Sequence, residues 1–239
     1  MLRLSALSLA VAGAMAVAPT AANAEVSASV GVANMYLWRG YDLGNGDAQV
    51  SGDLSYSNSG FYTGVWAASG DSAAGQEYDL YVGYGAEFGG VSVDLSVLNY
   101  MYPSSPEGSC ESIIVAGEIE EACAVEDNIL DDFGGLTDAV LSIGFAGFAV
   151  TAYDNIAGGS GNAYYTVSYG YEAFSILVGK HDIRGPEDVD GESTGNSMTH
   201  VDLSYAYNDN LSFTVSQQVD KETDDDPKVV VSYSLPIDM

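Results

Sequence analysis

Basic residues are what this 239-residue sequence most lacks: six Lys and Arg stand against 34 Asp and Glu, a formal net charge of −28. That balance excludes nucleic acid as a partner, because binding to phosphates depends on neutralising them with Lys and Arg. Cysteine is almost absent too. Cys110 and Cys123 have no histidine beside them, so they make no zinc site. In an exported chain a disulfide closing one loop is the favoured reading of the pair. Charged residues are only 17% of the chain while hydrophobic ones reach 47%, which excludes both a disordered polymer and an ordinary soluble surface. Long apolar runs are missing beyond the amino terminus, and no segment has the 3.6-residue pattern of a sizeable amphipathic helix. The one apolar run, Leu4 to Val17, follows Arg3 and precedes Ala22-Asn23-Ala24, the arrangement of a secretion signal cleaved before Glu25. Residues 1–24 are therefore expected to be a leader, and 25–239 one domain.

What is plentiful is tyrosine, 17 residues, and glycine, 28. Tyrosine suits strands and membrane interfaces. From Gln76 to Phe88, Tyr78, Leu80, Val82, Tyr84, Ala86 and Phe88 alternate with Glu77, Asp79, Tyr81, Gly83, Gly85 and Glu87. That is a period of two, kept over a length that suits a bilayer-spanning strand. The same template predicts twelve strands: 26–38, 47–57, 60–69, 76–88, 90–102, 137–146, 147–154, 162–171, 173–183, 197–207, 210–220 and 228–238. Tight connections at Asn58-Ser59, Gly89, Ala146-Gly147, Glu172 and Asn208-Asp209 alternate with longer ones at 39–46, 70–75, 103–136, 155–161, 184–196 and 221–227. That sorting predicts an all-β, closed, antiparallel up-and-down transmembrane barrel in the outer membrane, its short turns and both termini periplasmic. Pro236 inside the last strand is tolerable only near a strand end.

Tyr36-Leu37-Trp38-Arg39-Gly40, Val50-Ser51-Gly52-Asp53-Leu54-Ser55-Tyr56, Gly60-Phe61-Tyr62-Thr63-Gly64-Val65-Trp66 and Glu77-Tyr78-Asp79-Leu80-Tyr81-Val82-Gly83-Tyr84 together resemble the TorF family of porin-like proteins, most closely over residues 25–102. The resemblance implies a barrel and a pore and carries no assigned functional residues. Two features depart from it: the acidic, cysteine-bearing loop from Pro103 to Leu136, and Met239 where outer-membrane strands usually end in an aromatic.

Alternation sends Arg39, Asp53, Glu77, Asp79, Asp94, Asp138, His181, His200, Asp202 and Lys228 into the lumen. Pairing of the first and last strands would bring Arg39 beside Lys228 at the extracellular end, with Glu77, Asp79 and Asp138 at similar height on other strands. Such opposed walls either set up a transverse field that selects ions or simply pair to satisfy a filled lumen. Inward Gly83, Gly85, Gly144, Gly170 and Gly179 favour open space slightly and equally permit strand curvature. Lys180, Arg184 and Lys221 lie at the outer rim, where they could contact lipopolysaccharide phosphates or snorkel at the interface. The loop carrying Glu107, Glu111, Glu118, Glu120, Glu121, Glu126, Asp127, Asp131 and Asp132 is solvated acidic surface by default, with weak binding of divalent cations open to it. Asp188, Asp190, Glu192 and Asp224 to Asp226 lack the ligand order of an EF-hand. Catalysis is not expected: only His181 and His200 could act as bases, both face inward, and no serine stands in a nucleophile motif. No cofactor or fixed metal is expected, and the partners are membrane lipid, lipopolysaccharide and small solutes. Twelve strands imply a narrow lumen, hence a porin-like channel for small polar or cationic solutes, or alternatively a non-conducting structural or ligand-binding barrel plugged by the acidic loop.

Overall fold

The computed structural model describes residues 24–103, 110–115, 118–123, 133–158, 161–183, 197–220 and 226–237, with 110–115 and 118–123 as backbone only. β1 (Glu25–Ala33) runs into a short hairpin, β2 (Leu37–Trp38) and β3 (Tyr41–Asp42). The wall continues with β4 (Gln49–Asn58), β5 (Phe61–Asp71), β6 (Gly75–Phe88) and β7 (Val91–Met101). A second hairpin, β8 (Cys110–Val115) and β9 (Glu118–Cys123), precedes β10 (Leu136–Phe145), β11 (Phe148–Ala157), β12 (Ala163–Tyr171), β13 (Phe174–Asp182), β14 (Ser197–Ala206), β15 (Leu211–Gln218) and β16 (Lys228–Ile237). Twelve of these strands form one closed barrel in which each pairs antiparallel with its neighbours. β7 pairs β10 past the second hairpin, and β1 pairs β16 to close the ring. No described residue is helical.

The expected twelve-stranded antiparallel barrel is therefore the fold, with two local differences. The first strand stops at Ala33 instead of running on to Trp38, because the chain turns out of the wall at Asn34. The Asn34 amide donates to the Val231 carbonyl, and its side chain both accepts from the Val231 amide and donates to the Val229 carbonyl. Asn34 thus completes the edge of β16 where the β1 backbone has departed. The loop foreseen at 70–75 shrinks, because β5 extends to Asp71 and β6 begins at Gly75. Asp71 Oδ1 caps the short turn by accepting from the amides of Ala73 and Ala74, 2.7 Å each. Pro236 is accommodated where β16 has run past β15. Pairing to β15 ends at Tyr233, while Pro236 stands opposite Ser29 of β1.

The pleat sorts the side chains. Outward positions such as Val30, Leu54, Val82, Leu95, Ile143, Val167 and Leu203 are exposed and apolar around the whole ring. At the tight-turn end Phe61, Phe88, Phe145, Phe148, Tyr171 and Phe174 add an aromatic girdle, with Phe148 and Tyr169 centred 4.4 Å apart and Phe174 and Tyr205 5.0 Å apart. An apolar belt edged by aromatics is unfavourable in water and suited to hydrocarbon bounded by a polar interface. Inward glycines do not leave open space as a rule. A Cβ at Gly83 would meet the Tyr62 ring and lie 2.7 Å from the Ser96 Cβ, and one at Gly179 would meet Tyr164 and His200. Gly144 faces the Ser92 side chain in the same way, and of these inward glycines only Gly170 has nothing against it.

Candidate functional site

The β2–β3 hairpin leaves the wall and lies inside the loop end of the lumen. Leu37 pairs with Asp42 and Trp38 with Tyr41, so Arg39 and Gly40 form a two-residue turn. Their φ values, +48° and +87°, are both positive, as a type I′ turn requires. Gly40 is held to glycine twice over, since a Cβ there would also lie 2.7 Å from the His200 ring. Arg39 accepts a backbone conformation that costs an L-residue about 1–2 kcal/mol, so its side chain must recover that elsewhere.

It does so on the far wall. Arg39 Nη2 donates to the Tyr100 hydroxyl at 2.8 Å and to Asp138 Oδ2 at 3.1 Å. The guanidinium carbon stands 4.2 Å from the Tyr153 ring centre, 4.8 Å from that of Tyr164 and 4.6 Å from that of Trp38. Around it the hairpin is tied to wall after wall. Tyr36 donates its hydroxyl to Glu77 on β6, whose other oxygen accepts from Tyr102 at 2.8 Å. His181 on β13 donates to the Arg39 carbonyl, and Gln218 on β15 to the Gly40 carbonyl, both at 2.8 Å. At the rim, the Ser72 amide and hydroxyl both donate to the Leu43 carbonyl at 2.9 Å. Burial, reinforced by Glu77, pushes the Tyr36 phenol far above its ordinary value, so it stays a proton donor throughout the physiological range.

Other inward groups are paired as well. His200, wholly buried, donates from Nδ1 to Asp202 at 2.9 Å, which leaves Nε2 to accept from Tyr164 at 2.8 Å. Nearer the turn end, Asp53 accepts from Tyr81 and Asp94 from Tyr62, each at 2.8 Å. Asp79 lies beside Glu77 and Asp138, and its Oδ1 has no hydrogen-bond partner. The structure thus brings Arg39, Glu77, Asp79, Asp138, His181 and His200 together around the hairpin. It places Asp53, Asp94 and Asp202 deeper in the lumen and Lys228, also buried, on β16.

Arg39 and Lys228 do not form the basic wall that strand pairing suggested. The hairpin carries Arg39 away from β1, and its guanidinium ends on β10, nearly across the ring. Lys180 faces outward and is exposed, while Arg184 and Lys221 lie outside the described residues. The acidic residues named between Pro103 and Leu136 fall outside the described residues or have only their backbone described, and those at 188–192 and 224–225 fall outside them. Within β8 and β9 the register sets Cys110 opposite Cys123. Among the described residues, the first hairpin enters the lumen. Sequence reasoning missed Tyr36, Tyr100, Tyr102, Tyr153, Tyr164 and Gln218. Alternation marks those on the wall strands as inward but sets Tyr36 at the parity of outward Val30 and Val32, and nothing in it says that an inward aromatic meets a cation.

Among curated proteins none matches this chain. Of solved structures, an outer membrane channel from Pseudomonas putida F1 is similar with a TM-score of 0.42 and 13% identity, over 89% of this chain and 96% of that one. The outer membrane phospholipase A of Escherichia coli gives 0.41 and 9%, over 87% and 88%. OccK8 (OprE) of Pseudomonas aeruginosa gives 0.39 and 12%, over 87% of this chain, which spans 62% of that protein's length. Residues 17–129 match a family described as bacterial protein of unknown function (Gcw_chp).

Proposed function

We propose that this chain is an exported, porin-like barrel of the Gram-negative outer membrane that passes small polar solutes and cations and is closed at rest by its own first hairpin. The observation that carries this reading is how the hairpin is held. Its tip is secured in the lumen by one ion pair and a few hydrogen bonds to wall residues, with no covalent link among the described residues. The wall it covers is acidic: Glu77, Asp79 and Asp138 at the hairpin, Asp53, Asp94 and Asp202 below it. Once the hairpin moves aside, side-chain carboxylates line the path, a recognised origin of cation preference. The apolar belt supports the membrane setting, and the leader pattern before Glu25 supports export.

Planar-bilayer recording tests this with two refolded proteins: the mature chain, and a variant in which a short Gly-Ser link replaces residues 36–43. The mature chain is expected to show rare, brief openings. The excised barrel should show sustained steps whose reversal potential in a potassium chloride gradient favours the cation. Silence from an excised barrel that still shifts on heating in a gel would overturn the channel reading. It would favour a sealed structural barrel, which the near-complete burial of Tyr36, His200 and Ser216 supports as the second reading.

The facing of Cys110 and Cys123 supports a disulfide that staples the second hairpin. Directly opposed residues of an antiparallel pair have Cα atoms close enough for a disulfide to bridge. Protein recovered from the envelope should resist thiol alkylation until reduced. Alkylation of both cysteines without reductant would refute the bond.

A further inference from the structure

We propose that the cage formed by Asp138, Tyr100, Tyr153 and Tyr164 is a recognition site for guanidinium-bearing solutes, and that Arg39 is its tethered occupant while the hairpin is docked. The inference rests on the reading of the hairpin as a displaceable closure, and it names the solute class of the same lumen.

The cage is a property of the wall. Its members come from β7, β10, β11 and β12, and its carboxylate is oriented without help from Arg39: Tyr100 donates to Asp138 Oδ2 at 3.0 Å, and Asn155 donates to Oδ1 at 3.0 Å. Into this set site comes a planar cation with the Tyr153 and Tyr164 rings 4.2 and 4.8 Å from its centre and both polar contacts on one nitrogen. Aromatic faces with a fixed carboxylate select a flat, delocalised, weakly hydrated cation over a compact ammonium. The fit of the tethered group is incomplete, because Arg39 Nε is buried with no acceptor. A free guanidinium is not bound to one approach direction and can turn to satisfy its donors. The cage also stands on the lumen side of the wall, where the hairpin now blocks it, so a solute passing an open barrel would meet it.

The test is calorimetric titration of methylguanidinium into the refolded full-length Arg39→Ala barrel in detergent, with methylammonium as the control. Arg39→Ala is expected to bind methylguanidinium saturably, at least about tenfold more tightly than methylammonium and at least about tenfold more tightly than the wild type, where it must compete with Arg39 for the cage. Arg39→Ala/Asp138→Asn should lose about tenfold or more of that affinity. Equal binding to wild type and Arg39→Ala, or no preference over methylammonium, overturns the proposal. Should Arg39→Ala fail to fold, the wild type still decides. Methylguanidinium must raise its opening frequency in bilayer recordings above that seen with equal methylammonium, and an equal effect of the two overturns the cage. Failure of binding with sustained conductance from the hairpin-excised barrel rejects the cage alone. Binding with a silent excised barrel rejects the channel reading alone.

Discussion

Gly40→Val releases the hairpin from the lumen and leaves the twelve-stranded wall standing. The turn places residue 40 at φ +87°, where a β-branched side chain is a genuine outlier. The new Cβ would stand 2.7 to 2.9 Å from three atoms of His200, a ring fixed between Asp202 and Tyr164 and so unable to step back. The backbone penalty of about 1–2 kcal/mol and the overlap together should exceed about 3 kcal/mol, which lowers the docked-to-undocked ratio by more than about a hundredfold. The wall is spared because its ladders do not pass through residue 40. In a Trp66→Phe background Trp38 is the sole tryptophan. Its quenching by acrylamide should rise sharply, the strand signature in circular dichroism should stay unchanged, and conductance should rise to that of the excised barrel. Unaltered quenching would mean that the turn tolerates the side chain and that the hairpin is not seated as described.

Asp138→Asn should be the most damaging single change in the wall. Arg39 is only 7% exposed. Removal of its counter-charge therefore strands a guanidinium in a poorly solvated place, a loss of about 3–5 kcal/mol. The change also leaves one acceptor oxygen where Arg39, Tyr100 and Asn155 now share two. The companion result is the informative one. Arg39→Met/Asp138→Leu replaces the pair by apolar volume and should recover most of the lost docking, because a buried pair gives little net stability beyond satisfying itself. Urea titration of Trp38 fluorescence across wild type, Arg39→Met, Asp138→Leu and the double variant measures the coupling. Additive effects would show that the two groups do not act as a unit.

How much of this was legible in the sequence follows from what alternation encodes. The wall was legible because every strand obeys period two and every tight turn except Glu172-Ala173 carries a Gly or another small polar break. Asp53, Glu77, Asp79, Asp94, Asp138, His200, Asp202 and Lys228 stand on the inward face for the same reason. The hairpin was not legible, because Tyr36-Leu37-Trp38 continues the alternation of β1 across Asn34 and reads as one long strand. The departure from the wall is written in the tertiary pairing of Asn34 with β16. It is written also in a turn whose first residue is arginine instead of the usual Asn or Asp. Its destination depends on residues far along the chain, and a local pattern carries no such information. Arg39-Gly40 flanked by Trp38 and Tyr41 was the available signal. A turn bracketed by aromatics is an unusual thing to expose to water.

The hairpin also bears on how the molecule is built. It belongs to the first connection, yet its partners lie 99, 142 and 178 residues further along, at Asp138, His181 and Gln218. Contacts of such high order form late, since a great length of chain must be ordered before any of them can be made. The tip cannot find its seat until β10, β13 and β15 stand in place, and by then only β16 separates the growing sheet from β1. Seating the tip holds the first connection against the late strands of the sheet, and so draws together the two edges that have to meet. The device that closes the finished lumen would then act earlier as a template for closing the ring, its docking coinciding with the last step of assembly.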